Sequence, residues 1–304
     1  MEERLPEEAG AVAVTRWERA LASARSYWYY FTRSKSAIVG LVIVLLVIFV
    51  GLFARLIAPY PEHAGVFTDF ANKNQAPSSR YWFGTDKIGR DIFSRIVMCL
   101  GTALLQSGLV LVIAIPVGCC IGLLAGYYRG GAADVVLMRI TDTFVSIPSM
   151  VLAMAVAAIL SNSMTHTMLA ISIVWWPWYA RIVYTQVCSM RNETFITAAE
   201  LIGASRGHII FREMLPNCVA PVLTQAALDF GVIILCSASL SYLGLGVQAP
   251  APSLGQMISD GQSYVMDYPW QLLFPALVTV LIVLGFNLLG DGIRNMLAKG
   301  AART

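Results

Sequence analysis

The chain has 304 residues, 57% apolar and only 13% charged, with a mean hydropathy of +0.68; soluble domains sit near roughly 45–50% and 25%. These values exclude a soluble globular domain and point to an all-α polytopic membrane protein. The net charge of +3 is accounted for by basic residues in the loops on one side, and gives no ground for a nucleic-acid partner.

The first 36 residues carry six Lys or Arg. Between Arg16 and Phe31 basic residues interleave with aromatics, which fits an N-terminal segment (1–36) lying on the cytoplasmic surface with its rings at headgroup depth. The first apolar run has no small-residue exit and is read as an uncleaved span rather than a cleaved signal.

Five runs contain no Asp, Glu, Lys or Arg: 37–54, 96–128, 143–180, 214–228 and 268–290. A helix needs about 20 residues to cross roughly 30 Å of hydrocarbon, so the third run holds two helices with Ser161–Thr167 as the turn. Six spans are predicted, near 37–58, 98–127, 140–160, 167–187, 217–245 and 271–291. These runs are continuous rather than alternating, which rules out a barrel reading.

The loops at 128–139 and 188–213 and the tail 292–304 carry two, three and three basic residues, whereas 161–167 and 246–270 carry none. The excess places both termini in the cytoplasm. The extracytoplasmic segment 59–95 breaks the rule with five, accompanied by four acids. Gly84 and Gly89 mark turns there, and a short helix is expected from Arg90-Asp91 into the second span. Two readings of this segment stay open: a folded loop sealing the outer rim, or a contact surface.

Within the spans, Pro116, Pro148, Pro177, Pro221 and Pro275 and frequent glycines (Gly108, Gly118, Gly122, Gly126) mark helices that pack closely or bend. Asp229 is the acid deepest in a span, where it costs roughly 2.5–3.5 kcal/mol and must face the bundle interior or water. A part in substrate passage and a structural bond to Gln225 are both open. The outer loop 246–270, with an amphipathic stretch from Leu254 to Tyr264, reads as a re-entrant cap. Asn287 in the last span needs a partner, and Asp291 and Arg294 are spaced to pair. The six cysteines, Cys99, Cys119, Cys120, Cys188, Cys218 and Cys236, lack a C-x-x-C spacing and read as packing residues.

The cytoplasmic loop 192–216 is polar enough for water yet has an apolar stripe, Phe195, Ala198, Ala199 and Ile202. Asn192 is the expected N-cap, Gly203 the C-terminal stop, Ser205 the cap of a second short helix running to Glu213, and Pro216 the opening of the next span. Two short helices joined at a glycine, with Ala198-Ala199 as the contact pair, form a surface for docking in a partner's groove. No phosphate-cradling G-x-x-x-x-G-K-[ST], no H-E-x-x-H and no nucleophile motif is present, and His63, His166 and His208 are scattered. The chain is therefore not read as an enzyme.

Thr197-Ala-Ala, then Gly203, ending at Leu215-Pro216, resembles the EAA loop of permease subunits from bacterial ABC importers, with Thr197 where the family has Glu. Phe83–Arg95, Leu243–Gln248 and Phe286–Arg294 resemble the second, C-type permease of the dipeptide/oligopeptide/nickel family. Ala249–Gly255 departs from that family's Pro-Pro-x-Pro-Glu-Trp-Gly pattern. The resemblance implies six transmembrane helices of the ABC importer type I permease fold, with a permease core at 96–291 and a cytoplasmic coupling helix. Thr197, Ala198, Ala199, Gly203, Ala204, Ser205, Arg206, Leu215 and Pro216 would couple to an ATPase, and Gln225, Asp229 and Asn287 are assigned to the translocation path. Implied partners are a homologous second permease, two ATPase subunits that bind the ATP and Mg, and an extracytoplasmic binding protein, in the bacterial inner membrane. No cofactor or metal belongs to this chain. The cargo implied is a di- or oligopeptide, with nickel as the alternative, which Trp175–Arg181 resembles. A stand-alone secondary carrier or a membrane enzyme is the rival class; a carrier would show an inverted repeat between halves, and none is seen.

Overall fold

Serine and aspartate side chains set where the helices begin, by accepting backbone N–H groups that the first turn leaves unpaired. Ser34 accepts from Ala37 and opens α1 (Lys35–Leu52), and Asp91 accepts from Ser94 and opens α2 (Ile92–Tyr127). Ser163 accepts from His166 and opens α5 (Met164–Met190), and Ser253 accepts from Gln256 and opens α8 (Leu254–Gln262). The computed structural model describes residues 28–301, with side chains to 297. The remaining helices are α3 (Ala132–Ser146), α4 (Ser149–Ile159), α6 (Thr194–Leu201), α7 (Leu215–Tyr242) and α9 (Trp270–Ala301). Most of the predicted surface segment, residues 1–27, lies outside the described residues; 28–32 are helical, with Trp28 stacked on Phe31 at 5.9 Å.

Among the described residues, four helical stretches are long and apolar enough to cross a membrane: Lys35–Leu52, Ile92–Tyr127, Arg206–Tyr242 and Trp270–Leu297. The predicted third span is not one helix. It is α3 and α4, bent by 91°. Pro148 drives Ile147 out of the helical region, to φ −90° and ψ 130°, because the proline ring clashes with a helical predecessor. The 27 residues of α5 reach about 40 Å, but Arg181, Gln186 and its tyrosines make it less apolar than the other four. The last helix runs on through the predicted tail boundary at 292 to Ala301.

Close packing follows the glycines. On α2, Gly118, Gly122 and Gly126 lie at four-residue intervals against Trp176–Val187 of α5. A Cβ at Gly118 would sit 2.5 Å from the Trp176 carbonyl oxygen, and one at Gly122 would collide with that of Ala180. On the other side, Gly40 of α1 meets the backbone of Leu288 and Leu289 on α9. Two apolar cores result. One joins α2, α4, α5 and α7 and includes Ile196, Ala199, Ile209 and Met214 of the cytoplasmic loop. The other joins α1, α2, α7, α8 and α9 around Ile96, Ile234, Ile282 and Phe286. Outward-facing Val42, Leu46, Val112 and Val280 are exposed, as lipid or a partner helix requires.

Segment 59–91, between α1 and α2, folds on itself. Asp86 accepts from the N–H groups of Ile88 and Arg90 and pairs with Arg90 Nε at 2.7 Å. Gly84 and Gly89 have φ of 75° and 85°, and any side chain at Gly89 would strike the Asp69 carbonyl. The expected short helix from Arg90 does not form separately: Asp91 caps α2 itself, which continues unbroken. The excess of basic residues here is answered locally. Lys87 pairs with Asp260 of α8 at 2.8 Å, and Arg95 donates to the His63 carbonyl. His63 is 3% exposed, stacked on Tyr60 and Phe67. Its Nδ1 accepts from the Asp91 N–H at 2.8 Å, and burial holds its pKa below the ordinary 6.5.

Candidate functional site

The loop 192–216 emerges from the end of α5 and differs from the expectation in three ways. Helix α6 is capped at Glu193 without a side-chain bond, so Asn192 is not the cap; the helix starts one residue later, and Glu193 supplies the extended backbone of the N-cap. Ala198 and Ala199 split: Ala199 and Ile196 are buried against the core, while Ala198 faces out with Phe195. The second short helix is instead continuous with the next span, since Ser205 caps Arg206–His208 and a π-helical Ile209–Met214 leads into α7. Pro216, in the first turn of α7, needs no N–H partner there. The glycine stop has φ 79° at Gly203, with Gly203 N–H on the Glu200 carbonyl and Ala204 N–H on that of Ala199.

This geometry leaves Leu201 and Ile202 at the tip, 82% and 85% exposed. Thr197, Ala198, Gly203, Ser205 and Arg206 surround them, exposed, with Ala204 half-buried. Leu215 and Pro216 lie further along, where the loop joins α7. Ile196, Ile209 and Met214 anchor the loop's inner side in the core.

Within the helices, α4, α5 and α7 wall a cavity of about 490 Å³. Asp229, near the middle of α7, is 7% exposed and lines it. Its Oδ2 accepts from Tyr179 Oη at 2.8 Å and its Oδ1 from Gln225 Nε2 at 2.9 Å. Bonds to a charged acceptor are worth about 1.5–3 kcal/mol each, and they offset part of the cost of a carboxylate at this depth. Trp175 and Trp178, one turn apart on α5, and Ser239 on α7 also line the cavity. Gln225 and Asp229 are thus brought together. Asn287 is not with them: it is half-buried on α9, away from the cavity. Asp291 and Arg294 are both exposed and form no ion pair among the described residues. Tyr179, Trp175 and Trp178 are not among the residues the sequence assigns to the path, and the Trp175–Arg181 run is singled out there only by its resemblance to nickel-type members.

Residues 118–303 match the family described as binding-protein-dependent transport system inner membrane component. The chain belongs to this family. Residues 24–77 match the N-terminal transmembrane domain of oligopeptide transport permease C. Among curated relatives, a dipeptide transport system permease protein of Alkalihalophilus pseudofirmus is 42% identical, covering 96% of this chain and 92% of that protein. A probable D,D-dipeptide transport system permease protein of Escherichia coli is 39% identical, covering 96% of each. A di/tripeptide permease protein of Pseudomonas aeruginosa is 37% identical over 90% of this chain and 91% of that one. Of solved structures, the inward-facing MetNI methionine ABC transporter aligns with a TM-score of 0.56 at 19% identity, covering 68% of this chain and 97% of that chain. An amino acid ABC transporter aligns at 0.51 and 16%, covering 66% and 92%. At that identity the likeness speaks for the fold.

This member of the inner-membrane component family is therefore a multi-pass, non-catalytic permease subunit of a binding-protein-dependent ABC importer. Among the described residues no group of His, Cys, Asp and Glu is arranged to hold a metal ion. Five of the six cysteines are wholly or partly buried and none is bridged.

Proposed function

We propose that the chain is the permease through which di- or oligopeptides, handed over by a binding protein, cross the inner membrane. It pairs with a homologous second permease, and both termini face the cytoplasm. In this reading α5 is the fourth of the six spans, since it carries the chain from the outer turn at Ser163 to the cytoplasmic loop. The observation that carries the reading is the tip of that loop: Leu201 and Ile202, 82% and 85% exposed, lie on the side where basic residues accumulate. Apolar side chains held out into water are a docking surface. The chain has no phosphate-cradling loop of its own, and the partner that supplies one is the ATPase.

Closure of the two ATPases on ATP would displace the tip. Because Ile196, Ile209 and Met214 are packed in the core, that displacement is delivered to α5 and α7, which meet at Tyr179–Asp229 across the cavity. Gln225 and Asp229 are placed on the translocation path. The relatives' names support peptide cargo over nickel. Uptake of a labelled dipeptide by cells lacking their own permease of this type, with and without this chain beside its own partners, tests the reading. Accumulation only with the chain supports it; equal accumulation without it contradicts it.

A further inference from the structure

The cavity walled by α4, α5 and α7 has a one-sided chemistry. Asp229 is the single ionisable carboxylate among its lining side chains, and neither Lys nor Arg lines it. The nearest basic residue on α5, Arg181, is engaged with Asp142 at 2.6 Å. Trp175 and Trp178 lie on the same face of α5, with Trp178 42% exposed. Tyr179 and Gln225 hold the Asp229 carboxylate from two sides, one donor on each oxygen. Each carboxylate oxygen can accept more than one bond, so acceptor capacity remains on the cavity side.

A carboxylate beside indole side chains, in a wall free of positive charge, is the chemistry that recognises an alkylammonium: one charge-assisted N–H···O bond plus cation–π attraction. We propose that this cavity takes the free α-ammonium end of the peptide during passage, with Asp229 as its acceptor and Trp175 and Trp178 as its aromatic flank. The carboxylate end is then left to the second permease, because this wall offers it no cation. The assignment rests on the peptide-permease reading above and deepens it. It makes Asp229 a specificity-determining residue, and Tyr179 and Gln225 its positioning residues.

The complete importer in proteoliposomes tests this. Ser239→Cys places a thiol on the cavity wall, in a background where Cys236, the other wall thiol, is Ala. Labelling by a trimethylammonium methanethiosulfonate is compared with labelling by its sulfonate counterpart, relative to both reagents' rates on a free thiol. The cation is expected to be favoured by about tenfold. The preference should vanish in Asp229→Asn and persist in Tyr179→Phe, which keeps the charge and removes one donor. An Asp229 that is neutral or shielded from the cavity would not move this ratio. Uptake of a free-amine dipeptide should fall about tenfold in Asp229→Asn and recover at least partly in Asp229→Glu. A labelling ratio unchanged by Asp229→Asn, or unchanged uptake, overturns the proposal while leaving the permease reading standing. A wild-type importer that takes up no peptide defeats that reading instead.

Discussion

Gly203 sits at φ 79° with open space where a Cβ would go, so its role is conformational rather than steric within this chain. Any L-residue there carries about 1–2 kcal/mol of left-handed strain, which frays the end of α6 and shifts the tip. Gly203→Ala is expected to lower coupling modestly. Gly203→Trp adds bulk at the docking tip and is expected to leave the chain inserted while ATP hydrolysis proceeds without uptake. Hydrolysis and uptake measured together check this, and wild-type uptake by the Trp variant would remove the docking argument.

His63 gives a prediction with a definite sign. Its Nδ1 is an acceptor for the Asp91 N–H, so the native state needs the neutral ring, and burial lowers the pKa below 6.5. The folded state therefore binds fewer protons than the unfolded one, and stability rises with pH across this interval. The contribution is full above pH 6.5 and is lost as the pH falls through the lowered folded value. Hydrogen exchange of segment 59–91 should speed up as the pH is brought from 7.5 toward 5, after correction for intrinsic rates. Unchanged protection would contradict the neutral-acceptor role.

At the scale of elements, α2 and α5 touch backbone to backbone at Gly118 and Gly122, and the clash at Gly122 is with a carbonyl that cannot swing away. Gly122→Leu should cost about 3 kcal/mol or more by overpacking, read as a lower Tm of the purified complex. Gly108, on the same helix with nothing near its Cβ position, is the control: Gly108→Ala should be neutral or gain about 0.5–1 kcal/mol. Equal losses at both would mean the two helices do not meet at these glycines.

The elements also separate what local chemistry can announce from what it cannot. The stop at Gly203 was legible because a positive φ is a property of one residue, and the long apolar runs were legible because lipid imposes their length. The bend at Ile147-Pro148 was not. Membrane helices tolerate proline in several ways, and Pro116, Pro177, Pro221 and Pro275 lie inside unbroken helices here. The burial of Ala199 depends on how the loop lies against Ile209 and Met214, and periodicity within α6 does not contain that. Tyr179 and Asp229 are fifty positions apart, so this polar pair had to wait for the packing of α5 on α7, whereas Gln225, one turn away on α7, could be named.

At the scale of the molecule, α7 joins both apolar cores and continues through a π-helical turn into the exposed loop. The loop's inner side is packed through Ile196, Ile209 and Met214, so motion of the tip at Leu201 and Ile202 is expected to reach the wall holding Asp229 through that packing and across the Gly203 turn. Nothing in the chain supplies ATP hydrolysis. Proteoliposomes holding this chain, its second permease and the two ATPases, with peptide-loaded binding protein, test this most directly by ATP-dependent uptake of labelled dipeptide. Uptake is expected only with every component and ATP present. Uptake by this chain alone, driven by a proton or sodium gradient, would contradict the account.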